Sequence, residues 1–224
     1  MKPVRKIVRE IAKSVGEGAF PGKGDEEVEW KRDPFHVLIS TVLSQRTKDE
    51  NTHVASKRLF SRYDSPEALS KAPVARIREL IRPAGFPNAK ARAIKEIGRI
   101  IHEQYGGEVP SDMEALLALP HVGRKTANCV LVYGFSIDAI PVDTHVHRIS
   151  NRIGLVSTSR PEDTERELAK VIPRDLWKQL NSTFIAFGKE ICRPVRPRCP
   201  VCPVKKHCDY YANVFLKTAR GAES

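Results

Sequence analysis

Four cysteines crowd into the C-terminal part of the chain, Cys192, Cys199, Cys202 and Cys208, spaced C-x6-C-x2-C-x5-C. Four thiolates are the full ligand set for one tetrahedral zinc ion or one 4Fe–4S cube, and the spacing alone leaves both open. The run differs from that of bacterial ferredoxins, which argues against an electron carrier of that type. Two disulfides are the other way to pair four cysteines, but they need an oxidising compartment that nothing else here signals. The stretch between the cysteines carries Arg193, Arg196, Arg198, Lys205 and Lys206 and no acid. A cysteine-bound centre edged with cations reads as a structural clamp that turns positive charge towards a polyanion. Cys129 lies in an apolar helical pattern and reads as a buried thiol.

Two further groups could act on such a partner. The segment Leu119-Pro120-His121-Val122-Gly123-Arg124-Lys125-Thr126-Ala127-Asn128 joins two helical patterns through a very short turn. Pro120 cannot continue the first helix, and Gly123 allows a tight turn and a close backbone approach. The second helix then opens with free N–H groups, a ready anion site. A helix–hairpin–helix of this kind grips a DNA phosphate through its backbone and reads no bases; the plain alternative is an ordinary αα-hairpin. Lys125 falls in the first turn of the second helix, where the helix dipole disfavours an ammonium and favours the free amine, a nucleophile capable of Schiff-base chemistry. Further on stands Pro141-Val142-Asp143-Thr144-His145-Val146-His147-Arg148. Asp143 precedes a helical run and reads as its N-cap, a position that keeps a carboxylate ionised. A fixed carboxylate beside a sugar stabilises an oxocarbenium-like charge. On a strand Asp143, His145 and His147 could share a metal, but on a helix residues two apart face different ways.

Helical periods position these groups, and strand alternation is nearly absent. Val4, Ile7, Val8, Ile11 and Val15 mark one face of an N-terminal helix. Asp33-Pro34 starts another, and Thr47 with Glu50 forms a capping box for the next, which reaches about Phe60. Ser65-Pro66 and Pro73 open two shorter helices. A long one runs over 89–105, with Ile94, Ile97, Ile100 and Ile101 inward. Ser111 with Glu114 forms a second capping box, and further helices follow over 124–135 and after Asp143, Pro161 and Pro173. The stretch 16–31 is a Gly-rich, charged connection. The pattern is that of an all-α protein of about ten helices.

The whole chain has 224 residues, 38 Lys+Arg against 27 Asp+Glu, and a net charge of +11. Hydrophobic residues make up 41% and charged residues 29%, so the chain is globular rather than disordered. So basic a protein points to nucleic acid or another polyanion. No apolar run approaches the ~20 residues needed to span a bilayer, and the N-terminus lacks a signal-peptide core. An intracellular, reduced protein is expected. Three Gln and six Asn against 21 Arg hint at a heat-adapted source.

The combination L-P-x-V-G-R-K-T-A-N, then V-D-T-H, then C-x6-C-x2-C-x5-C resembles the endonuclease III family of helix–hairpin–helix DNA glycosylases/AP lyases, over nearly the whole chain. The resemblance implies a two-lobed all-α fold: a six-helix barrel with the hairpin over about 27–137, and a cluster lobe built from 1–26 with 138–224. It implies a 4Fe–4S cluster rather than zinc on Cys192, Cys199, Cys202 and Cys208, and DNA bound across the groove between the lobes. Lys125 would attack C1′ of a flipped nucleotide and Asp143 would assist base loss and proton transfer. Leu119, His121, Val122, Gly123 and Arg124 would meet the DNA at the hairpin. The lysine favours the bifunctional branch, which excises oxidised pyrimidines from duplex DNA and nicks 3′ to the abasic site by β-elimination. A uracil or mismatch glycosylase of the same superfamily and a non-enzymatic DNA-binding module are the rival readings. The chain departs from the family at His121, where Gly is usual. The Gln that commonly fills the vacated space aligns with Arg46, one residue beyond Gln45, so both are candidates. Gly85-Phe86-Pro87-Asn88 resembles a second probing loop with Phe86 as wedge. The expected partner is double-stranded DNA holding a damaged base or abasic site. The protein is expected to be a monomer, with no membrane, working on chromosomal DNA in the cytoplasm or nucleoid of a prokaryote.

Overall fold

A computed structural model describes residues 2–16 and 33–221, with twelve α-helices and no strand among them. The charged connection expected over 16–31 lies, beyond Gly16, outside the described residues. The chain divides into two compact units, residues 33–139 and residues 2–16 with 140–221.

The 33–139 unit opens with α2 (Pro34–Ser44), started as expected by Asp33, whose side chain accepts from His36 N at 2.9 Å. Next come α3 (Asp49–Phe60), α4 (Pro66–Lys71, capped by Ser65), α5 (Val74–Leu80), α6 (Pro87–Gln104), α7 (Met113–Ala118) and α8 (Arg124–Cys129). Helix α6 is central and packs on α2, α4 and α5. Its Ile94, Ile97 and Ile101 share a core with Leu38, Leu59 and Ile77. Each such side chain, fully buried, contributes roughly 1.5–3 kcal/mol.

The 2–16 and 140–221 unit comprises α1 (Val4–Ser14), α9 (Thr144–Ile153), α10 (Pro161–Val171), α11 (Trp177–Glu190) and α12 (Leu216–Gly221). α1 buries Ile7, Val8 and Ile11 against α11, and α9 and α11 pack together around Val146, Ile149, Phe184 and Phe187.

Four local expectations are corrected. Thr47 and Glu50 form no capping box: α3 begins at Asp49 after Lys48, without a side-chain cap, because the Thr47 hydroxyl is engaged elsewhere. Asp112, not Ser111, caps α7, its carboxylate accepting from Ala115 N at 2.8 Å. The 89–105 helix starts two residues earlier, with Pro87 in the first turn, where its missing N–H costs nothing. The helix over 124–135 is α-helical only to Cys129 and then widens over Val130–Gly134, where Phe135 N reaches back to Val130 O.

Candidate active site

The hairpin stands between α7 and α8. Leu119 and Val122 are buried and anchor it, while His121, Gly123 and Arg124 are exposed. The left-handed residue is His121, with φ 61°, and not Gly123, whose φ of −95° any residue adopts. The turn that Gly123 was expected to make is therefore made two residues earlier, at the position where a glycine would be unstrained. Nothing stands within 4 Å of a Cβ placed on Gly123, so its contribution is an open approach to the helix start. Lys125 follows in the first turn of α8, half-buried, and its amine has no partner among the described residues.

Beside the hairpin the turn after α2 carries both gap-filling candidates, and they do different things. Gln45 Nε2 donates to His121 O at 2.9 Å and to Thr126 Oγ1 at 3.3 Å, which ties it to the hairpin. Arg46 is exposed, left-handed at φ 51°, and its guanidinium lies 5.9 Å from the Phe86 ring. Phe86 is also left-handed, at φ 57°, and 61% exposed. Arg46 and Phe86 thus come together at the surface.

Beneath them lies Lys90, which sequence alone offers only as an alternative nucleophile to Lys125 and not as a buried brace. Lys90 is only 4% exposed, and its ammonium donates to Leu43 O at 2.6 Å, Gln45 O at 2.6 Å and Thr47 Oγ1 at 2.8 Å. Burial pushes its pKa down to about 8. A depressed lysine in a DNA-acting protein invites the nucleophile's role. All three of its donors are occupied, however, and its burial keeps it from a sugar, so Lys90 is not a rival to Lys125. A signal existed: Lys90 falls on the same helical stripe as Ile94, Ile97 and Ile101.

In the other unit Asp143 is the N-cap of α9, as expected. Its Oδ1 accepts from His145 N at 2.9 Å and Val146 N at 2.8 Å. Both bonds fall on one oxygen. The metal reading of Asp143, His145 and His147 fails, because the histidines turn to different neighbours. His145 Nδ1 meets Arg148, and His147 Nδ1 meets Thr164 Oγ1 at 2.7 Å. Gly188 of α11 makes room for this packing, since a Cβ there would lie 2.3 Å from His145 Nδ1. Burial lowers the pKa of Arg148, which stays bonded to Cys192 O at 3.0 Å.

Cys192, Cys199, Cys202 and Cys208 line one cavity with Phe187 and Tyr210, and all five cysteines are free, which removes the disulfide reading. Burial raises the Cys199 and Cys208 thiols and pushes Cys202 up to about 11, with neighbouring cysteines adding to each. Thiols so placed ionise readily only opposite a strong positive centre. Among the described residues no group of His, Cys, Asp or Glu is gathered tightly enough to hold a single metal ion. Four free sulfurs around one apolar-walled cavity fit a sulfur-liganded cluster by donor type and number. The surrounding Arg193, Arg196 and Arg198 are exposed.

Residues 39–174 match the model of the HhH-GPD superfamily base excision DNA repair proteins. The chain is 50% identical to endonuclease III of Thermotoga maritima over 93% of both chains. It belongs to the endonuclease III family. Endonuclease III of Rickettsia conorii is 38% identical over 84% of this chain and 89% of the relative. A solved trapped endonuclease III–DNA covalent intermediate, an estranged-adenine complex, superposes with a TM-score of 0.82 at 36% identity, covering 95% of this chain and 97% of the other. A thermostable thymine-DNA glycosylase gives a TM-score of 0.80 at 27% identity, over 93% and 98% of the two chains. As a family member this chain is a base excision repair enzyme, a DNA glycosylase and AP lyase. DNA is its partner. No described helix is long and apolar enough to cross a membrane.

Proposed function

We propose that this family member excises oxidised pyrimidines from duplex DNA and then cuts the strand 3′ to the abasic site, with Lys125 as nucleophile. The carrying observation is the place of Lys125: an amine with no partner among the described residues, in the first turn of the helix that directly follows the hairpin. The hairpin holds a phosphate by backbone N–H groups, and the amine then attacks C1′ of the flipped nucleotide. The C1′–N bond breaks, the base leaves with a proton, and loss of the ring oxygen's bond to C1′ gives the Schiff base. Removal of a C2′ proton expels the 3′ phosphate. Asp143 supplies a fixed carboxylate that offsets developing positive charge on the sugar and passes the proton. Arg46 and Phe86 enter the stack, with Gln45 bracing the hairpin. Flipping costs least at a damaged or badly paired base, which contributes to selection.

Cys192, Cys199, Cys202 and Cys208 hold a 4Fe–4S cluster. Bound there, the cluster supplies positive charge to the thiolates and cross-links the loop, while the chain's own groups carry the DNA chemistry. The setting is chromosomal DNA inside a prokaryotic cell.

Borohydride added during turnover tests the reading, because it reduces the imine and locks protein to DNA. Lys125→Gln is expected to bind DNA yet lose both trapping and strand cleavage; trapping at the parental rate would remove Lys125 from the nucleophile's role. The likeness to a thymine-DNA glycosylase supports a second reading, excision of mismatched thymine or uracil. A panel of duplexes with single lesions separates the two by rate.

A further inference from the structure

We infer that Lys90 is the positioning residue that sets Arg46 and Phe86 as one probing unit. The inference rests on the reading that these two side chains enter the duplex. The turn after α2 and the turn before α6 are separate in sequence, and each ends in a left-handed non-glycine residue. Such residues persist only where their surroundings over-determine them. Lys90 supplies that restraint. It gathers Leu43 O, Gln45 O and Thr47 Oγ1 onto one ammonium. Thr47 Oγ1 also accepts from Gly85 N at 3.0 Å, so one hydroxyl joins the two turns. Gly85 permits this close approach, because a Cβ there would lie 2.5 Å from Arg46 O. Lys90 N in turn closes the first bond of α6 onto Phe86 O at 3.1 Å. Gln45 extends the same network to the hairpin through the carbonyl of His121, a third left-handed residue. A buried ammonium without a carboxylate partner is costly. Here it is matched by three oxygen acceptors whose placement fixes the two exposed side chains above it.

The test compares Lys90→Met, Thr47→Val and the double variant with Phe86→Ala and Arg46→Ala. Each is assayed in single turnovers on a duplex with an oxidised pyrimidine and on the same duplex with a preformed abasic site. 2-Aminopurine placed opposite the lesion reports unstacking by fluorescence. Lys90→Met and Thr47→Val are expected to lose about tenfold or more in base excision, with abasic-site cleavage changed far less and the 2-aminopurine signal reduced. The double variant is expected to lose no more than the worse single one, since both break one network. If Phe86→Ala and Arg46→Ala lose both activities equally, the reading that they enter the duplex fails. If those two lose excision selectively while Lys90→Met and Thr47→Val keep it, or lose both activities in parallel, the role assigned to Lys90 is overturned. Should Lys90→Met not fold, Thr47→Val decides alone, because it removes only the shared oxygen from a half-buried side chain.

Discussion

Asp143 holds two positions at once, helix cap and proposed catalytic carboxylate, and a pair of substitutions separates them. Its Oδ1 accepts two backbone N–H bonds, at 2.9 and 2.8 Å. Asn presents an oxygen of the same reach, and at an N-cap Asn and Asp are about equal, so Asp143→Asn is expected to change stability by less than about 0.5 kcal/mol. Asp143→Ala removes both bonds and is expected to cost about 1 kcal/mol, a fall in Tm of about 2–4 °C for a chain of this size. Excision should not distinguish them. The lost charge is common to both variants, so both are expected to slow base release by about 10²–10³-fold, the range for removing one preorganised electrostatic group. The assays are thermal unfolding by circular dichroism and single-turnover base release at saturating enzyme. Parental excision by Asp143→Asn, with a lowered Tm only in Asp143→Ala, would show a cap and nothing more.

The cluster assignment predicts iron and acid-labile sulfide in equal amounts after anaerobic purification, lost in Cys202→Ser; zinc without iron would refute it. If the cysteine loop meets DNA, replacing Arg193, Arg196 and Arg198 by Ala flattens the salt dependence of binding, by about 0.9 in log–log slope for each phosphate no longer neutralised; an unchanged slope would remove the loop from the interface. Lys90 has a pKa of about 8 when folded against 10.5 as the ordinary value, so between these the unfolded chain holds more proton and stability rises with pH. The Tm of the parent is therefore expected to climb relative to Lys90→Met from pH 8 to 10.5, and parallel curves would show that burial does not disfavour the charged amine.

What was legible in the sequence was whatever local chemistry decides. Asp33-Pro34 and Ser65-Pro66 start helices because a short polar side chain caps the N–H groups that proline does not need. Asp143 was readable as a cap for the same reason. The errors share a cause, which is that a distant partner competed for the group. Thr47 has the spacing of a capping box, but a lysine from another helix takes its hydroxyl. Gly123 looked like the turn residue because glycine is the usual left-handed one, yet His121 adopts that conformation while Gln45 binds its carbonyl. Between Gln45 and Arg46 the sequence could not choose, since neighbours in a turn point in different directions that only packing resolves. Lys90 shows how such a network could have been found: a lysine in register with a buried isoleucine stripe must bring its own acceptors.

The second unit shows why a cysteine cavity belongs in an enzyme whose proposed chemistry it does not perform. Helix α9 rises about 15 Å over its ten residues, and Asp143 stands at its start. One turn on, Arg148 bonds Cys192 O, at 3.3 Å from Nε and 3.0 Å from Nη2. Another turn on, Arg152 donates to Arg193 O at 2.6 Å, to Pro194 O at 2.8 Å and to Cys192 Sγ at 3.7 Å, and its guanidinium lies over Tyr210. At the far end Gly154, at φ 80°, closes the helix where Asp209 comes so near that no Cβ fits, and Lys2 pairs with that Asp209 at 2.7 Å. Charge-assisted bonds of this kind contribute about 1.5–3 kcal/mol each when well made. They are made only if the loop 192–208 holds one conformation, and that loop has few helical bonds of its own and little apolar burial beyond Val204 and the cysteines. The cluster proposed on the four sulfurs would fix it. With the proposed cluster bound, the cysteines would bear on Asp143 through α9: they would immobilise the carbonyls that two arginines grip, and the arginines hold the helix whose first residue the carboxylate caps.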